Sequence, residues 1–147
     1  MRVFIVVAAL LSSCAAPRVA DDNQSREALA DSLDRPYYSE ASDAAKAAGV
    51  DYRALMLSAV KKNPAALRKL VHLCTNPHFD GAGLEVHLQF LRQLLTLWGD
   101  RDFAAAIHRF SSKERKILQG HWTFSDRRML TKDFPLTARL IYGTDEI

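Results

Sequence analysis

Apolar and polar positions alternate with a helical rhythm along most of the chain. From Ser39 onward apolar residues return at spacings of three and four, the repeat of one face of an α-helix. Tyr52, Leu55 and Ala59 form one stripe, with Met56 and Val60 beside it. Leu67, Leu70, Val71 and Cys74 form a second. The strongest stripe runs Leu84, Leu88, Leu91, Leu94, Leu95 and Trp98, and Val86, Phe90 and Leu97 widen it. A helix so apolar must be covered on more than one side, which predicts a central position for residues 84–98. No stretch of five or more residues alternates as a half-buried strand does. The expected fold class is all-α.

Punctuation divides the pattern into elements. The alanine-rich segment before Gly49 ends where a left-handed C-terminal cap belongs. Asp51 precedes the next helix, 52–62, as an N-cap. Asn63-Pro64 opens another, because Asn accepts from free N–H groups and Pro suits the first helical position. Residues 75–83, TNPHFDGAG, carry the Pro and Gly signals of a loop. Trp98-Gly99-Asp100 closes the central helix and caps the one that follows, 101–110. Ser111 and Glu114 have the spacing of a capping box. Two further helices fit residues 125–133 and 135–142, while residues 25–33, with Ser25 ahead of good helix formers, leave a short helix open. The expectation is a small compact bundle of five to seven helices. The segments starting at Asp51 and Arg101 share an order of aromatic, alanine-rich helix, capped break and basic helix. Their offset of about 50 residues lies near the period of HEAT-type hairpins, although two copies are fewer than a solenoid needs.

The N-terminus follows a different rule. Arg2 precedes a continuous apolar run from Val3 to Leu11, which is shorter than the roughly 20 residues a membrane-spanning helix needs. It fits the apolar region of a secretory signal, followed by small residues. The order Leu11-Ser12-Ser13-Cys14 resembles the lipobox of bacterial lipoproteins. That resemblance covers about the first 16 residues of the chain. It implies cleavage before Cys14, a diacylglyceryl thioether on its sulfur and an acylated new N-terminus. Several acyl chains on one residue meet the requirement for stable anchoring. Ala15, where Asp would favour the inner membrane, implies the periplasmic face of the outer membrane; a soluble periplasmic product is the alternative. Residues 1–13 are then the signal peptide, 14–38 the lipidated N-terminus and a tether rich in Ala, Asp and Ser, and 39–147 one helical domain.

Composition changes this picture little. Apolar residues make up 48% of the chain and charged residues 25%, an ordinary globular balance. The formal net charge of +3 gives no argument for nucleic acid. With Cys14 lipidated, Cys74 has no disulfide partner, and its place on an apolar stripe makes it a core residue.

Candidate chemistry is confined to residues 72–87, where His72, Cys74, His78, Asp80, Glu85 and His87 include plausible metal-ligand types. The metal candidates are His78, Asp80 and His87. Spacing opposes a preformed site: Glu85 and His87 are two apart, so they diverge by about 200° around a helix. His87 lies on the stripe of Leu84, Leu88 and Leu91 and is expected to be buried, bonding the backbone of the 75–83 loop. Asp80 is expected to support its turn or cap the next helix. No nucleophile elbow, zincin motif, phosphate loop or Cys-x-x-Cys is present, so no cofactor or catalytic residue is assigned. A late cluster of basic residues and the aromatic pair Trp122 and Phe124 leave Trp122, Phe124, Arg127 and Arg128 as partner-binding candidates. The function expected is a non-enzymatic, membrane-anchored envelope lipoprotein whose helical domain binds an envelope protein. A periplasmic inhibitor or immunity-type protein, and a metal-handling or enzymatic domain using residues 78–87, are the alternatives.

Overall fold

Backbone hydrogen bonds organise the chain into helices wherever the local signals permit. The computed structural model describes residues 19–33, 35–122 and 124–143, and the side chains of 23–33, 35–122 and 126–143. In chain order the elements are α1 (Val19–Ser32), a 3-10 turn at Pro36–Tyr38, α2 (Ser39–Ala47), α3 (Tyr52–Val60), α4 (Pro64–Leu73), α5 (Gly81–His108), α6 (Ser112–His121), α7 (Phe124–Asp133) and α8 (Pro135–Tyr142). No strand occurs among the described residues, and the all-α class follows.

Most helix ends follow the sequence signals. Asp51 Oδ1 accepts the Ala54 amide at 2.9 Å and starts α3. Asn63 Oδ1 accepts the amides of Ala65 and Ala66 and starts α4, with Pro64 at its first position. Ser111 and Glu114 form both bonds of the capping box at the start of α6. After α2, Gly49 takes φ 73°, and the amides of Gly49 and Val50 return to Lys46 and Ala45, the paired bonds of a Schellman cap. The end of α3 uses the same cap two residues earlier than the pattern suggests, with Lys62 in the left-handed position at φ 62°.

Other ends depart from the sequence reading. α5 starts at Gly81, so residues 81–83 are helical although their glycines read as a loop. Gly83 is buried, and a Cβ there would lie 3.4 Å from the Glu40 carbonyl oxygen of α2. This glycine marks a close approach of two helices, not a turn. Within α5, Gly99 breaks the helical backbone at φ 73°, ψ 164°, where the sequence divides two helices. Asp100 does not cap the half that follows it. Its carboxylate accepts the amides of Leu136 and Thr137, each at 2.8 Å, and so caps α8. The residue before α8, Phe134, has no side-chain acceptor, and the distant carboxylate fills that role.

The first half of α5 is central, as its apolar girth predicts. Phe90, Leu91, Leu94 and Leu95 are fully buried, and α5 packs on α1, α2, α3, α4, α8 and the 3-10 turn. At the break, Trp98 Nε1 donates to the Ala59 carbonyl at 2.9 Å. Lys62 Nζ reaches back to the Trp98 carbonyl at 3.3 Å and to Asp102 at 2.6 Å. The turn between α3 and α4 is thereby laced to the bend in α5. Packing also begins before Ser39. Leu33 and Tyr38 belong to the core, and Tyr38 Oη donates to Gln93 of α5 at 2.8 Å. α3 and α4 pair as a hairpin, whereas α6 packs on α4 and α8, so the shared rhythm of the two sequence segments is not matched by a shared pairing.

Candidate functional site

The residues that suggested chemistry in the sequence are dispersed in space. His87 is fully buried on α5, and both ring nitrogens are committed. Its Nε2 lies 2.8 Å from the Leu70 carbonyl oxygen and its Nδ1 lies 2.6 Å from Tyr52 Oη. A carbonyl only accepts, so Nε2 carries the proton and Nδ1 accepts from the tyrosine. The partner is α4 and not the 75–83 loop. Leu70 lies in the last turn of α4, where carbonyls have no intrahelical donor, and the imidazole satisfies one of them. Burial lowers the His87 pKa to about 4, against the opposing pull of the Leu70 carbonyl. This is a neutral structural imidazole with no lone pair left for a metal.

His78 and Asp80 are exposed, and Asp80 stands at the N-cap position of α5 without a side-chain cap bond. Among the described residues, no group of three or more His, Cys, Asp or Glu side chains converges as a metal site. Cys74 is buried, and desolvation pushes its thiol up to about 12, which keeps it protonated and unreactive. His72 is exposed and meets Glu114 of α6 at 2.9 Å. Glu114 is held down to about 2, first by the Ser111 amide, with His72 and Arg68 contributing.

Of the partner-binding candidates, Trp122 is buried, stacked on Phe103 at 6.3 Å between centroids, and presents no surface patch. The side chain of Phe124 and residues 1–18, including Leu11-Ser12-Ser13-Cys14, lie outside the described residues. Arg127 holds its guanidinium over the Tyr142 ring at 5.2 Å, while Arg128 is exposed and shares a shallow depression with Thr131 and Lys132.

Two other surfaces carry apolar linings. One, of about 570 Å³, runs between α3 and α4 over Val50, Leu55 and Leu73, with Asp51, Lys69 and His72 at its margin. The other is a pair of adjoining hollows of about 240 and 200 Å³ that share Pro64, Ala106 and Arg109. They form one groove between α4 and the second half of α5. Its walls are apolar, with Ala65 and Ala105 beside Trp98 and Phe110, its cations are Lys62, Arg68 and Arg109, and Asp102 lines it as well. Arg68 is fixed three ways: at 3.2 Å from Glu114, bonded to the Arg109 carbonyl, and stacked at 5.1 Å over Phe110.

Sequence reasoning missed this groove because it arises where α4 crosses α5. One signal does foreshadow it. Between Val19 and Val60 acidic residues outnumber basic ones two to one, and between Lys61 and Gly143 the ratio is reversed. The acidic α1 and α2 pack on α3 and α5, while the basic α6 and α7 share α8, so the small net charge conceals a polar distribution. No family model, no curated protein and no solved structure matches this chain.

Proposed function

We propose that the protein is a lipid-anchored component of a bacterial envelope whose helical domain binds another protein, without catalysis of its own. The observation that carries the reading is the order Leu11-Ser12-Ser13-Cys14 directly behind the apolar run of residues 3–11. A thioether-linked diacylglycerol on Cys14 and an acylated N-terminus supply the two or more chains that durable anchoring requires. Ala15 directs the product to the outer membrane, on its periplasmic face. No helix among the described residues is long and apolar enough to cross a membrane.

Two physical features support a binding role for the domain. His87, the fully buried imidazole of the core, is engaged in holding α3, α4 and α5 together. The concave surfaces, by contrast, combine apolar walls with charged margins, the composition of a recognition surface. The test of the anchor is metabolic labelling with palmitate in cells expressing the full chain. Label should enter the wild-type chain, disappear in Cys14→Ser, and stay on an uncleaved precursor when the lipoprotein signal peptidase is blocked by globomycin. An unlabelled wild-type product, or one that retains residues 1–13 untreated, would overturn the reading.

A further inference from the structure

We infer that the groove between α4 and the second half of α5 is a docking site for an acidic segment of a partner protein. This deepens the protein-binding reading and rests on it. The argument is charge complementarity on an apolar floor. Arg68 is already ordered by Glu114, the Arg109 carbonyl and the Phe110 ring, so little conformational entropy remains to be lost when it meets a carboxylate. Its neighbour Arg109 is exposed and makes no ion pair among the described residues.

The carboxylates at this end of the molecule do not compete for that charge. Asp102 takes the Lys62 ammonium at 2.6 Å, Glu114 takes Arg68 and His72, and Asp100 is turned to the amides of α8. Arg109 therefore remains as the unneutralised cation at the centre, where the two hollows meet. Pro64, Ala65, Ala105 and Ala106 keep the walls low, so a helix or extended segment can approach the backbone closely. The occupant this fits carries small apolar residues toward the walls and a carboxylate toward Arg109, beside the ordered Arg68. The larger hollow between α3 and α4 has no such surplus, because Asp51 offsets Lys69 and His72 is taken by Glu114.

The test is titration calorimetry of the full chain carrying Cys14→Ser with a synthetic helical peptide of Glu and Ala, and with the same peptide bearing Lys in place of Glu. The Glu peptide should bind and the Lys peptide should not. Arg109→Glu, and Ala105→Trp, which fills the groove without changing charge, should each weaken binding by about tenfold or more. Lys116→Glu, an equal charge change on α6 outside the groove, should leave it within about twofold, as expected of a site-specific effect. Arg109, Lys116 and Ala105 are all exposed, so the fold should survive, and circular dichroism checks that it does. Equal losses in Arg109→Glu and Lys116→Glu would reduce the effect to net charge and overturn the assignment. So would an unaffected Ala105→Trp, or binding to phosphatidylglycerol vesicles in place of the peptide. A chain that still crosslinks a specific protein in cells when both groove variants are present would keep the binding role and lose the groove. Palmitate labelling is independent of all these outcomes.

Discussion

His87 shows how one buried polar side chain links sequence position, packing and pH response. It donates to the Leu70 carbonyl and accepts from Tyr52 Oη, two bonds that only the neutral ring can make together. Its pKa is lowered from 6.5 to about 4 by burial, so the unfolded chain binds the proton more readily than the folded one. The stability this imidazole confers is complete above pH 6.5 and is lost as pH falls to 4. The loss integrates to on the order of 3 kcal/mol. Urea unfolding of wild type and His87→Gln across that range checks it: the difference between the two should shrink with falling pH. Parallel curves would mean that the imidazole is not protected. Glu114 acts in a lower window, because a carboxyl held down to about 2 loses its contribution between pH 4.5 and 2. Cys74, whose thiol is pushed up to about 12 by desolvation, should resist alkylating reagents in the folded protein.

At the scale of elements, the bend in α5 organises the neighbouring helices. Gly99 supplies the φ of 73° that interrupts the helix, and the interruption leaves the Trp98 carbonyl for Lys62 and the Asp100 carboxylate for α8. α8 depends on that carboxylate because its own N-cap, Phe134, offers no acceptor. Replacing Asp100 with Ala should therefore behave as loss of an N-cap, costing about 1–2 kcal/mol. Amide exchange at Leu136 and Thr137 should accelerate selectively, while the amides of α3 keep their protection. If exchange instead rises first within residues 101–104, Asp100 caps its own helix in solution. Lys62 is the other unusual position at this scale. It accepts a left-handed backbone that favours glycine, and its side chain ties two turns together across 36 residues to the Trp98 carbonyl.

For the whole molecule, the extent of the domain is the open physical quantity. The pattern of stripes starts it at Ser39, but Leu33 and Tyr38 lie in the core and Tyr38 meets Phe90 edge-on at 6.1 Å. A chain beginning at Ser39 should be less stable than one beginning at Val19 by about 3 kcal/mol or more, given roughly 1.5–3 for each large buried side chain. Equal denaturation midpoints would show that the segment before Ser39 adds nothing. The same comparison bears on the proposed anchor. With helix α1 starting at Val19, five residues carry the chain from Cys14 to the folded domain, a reach of at most about 18 Å. A lipidated protein would thus hold its domain near the membrane surface, not at the end of a long tether.

The sequence by itself determined what is encoded within one or two helical turns. The helical class, the caps at Asp51, Asn63 and Ser111, the left-handed stop at Gly49, the central place of residues 84–98 and the inward face of Cys74 and His87 were all legible there. Each depends on a side chain reaching its own or an adjacent turn, or on a periodicity that survives without knowledge of neighbours. Tertiary structure alone decided the partner of Asp100, the role of Gly83, the work of Lys62 and the groove lined by Arg68 and Arg109. Those depend on where helices cross, and a crossing is set by the fit of two surfaces distant in sequence. A glycine in a loop and a glycine under a neighbouring helix read alike until that fit exists.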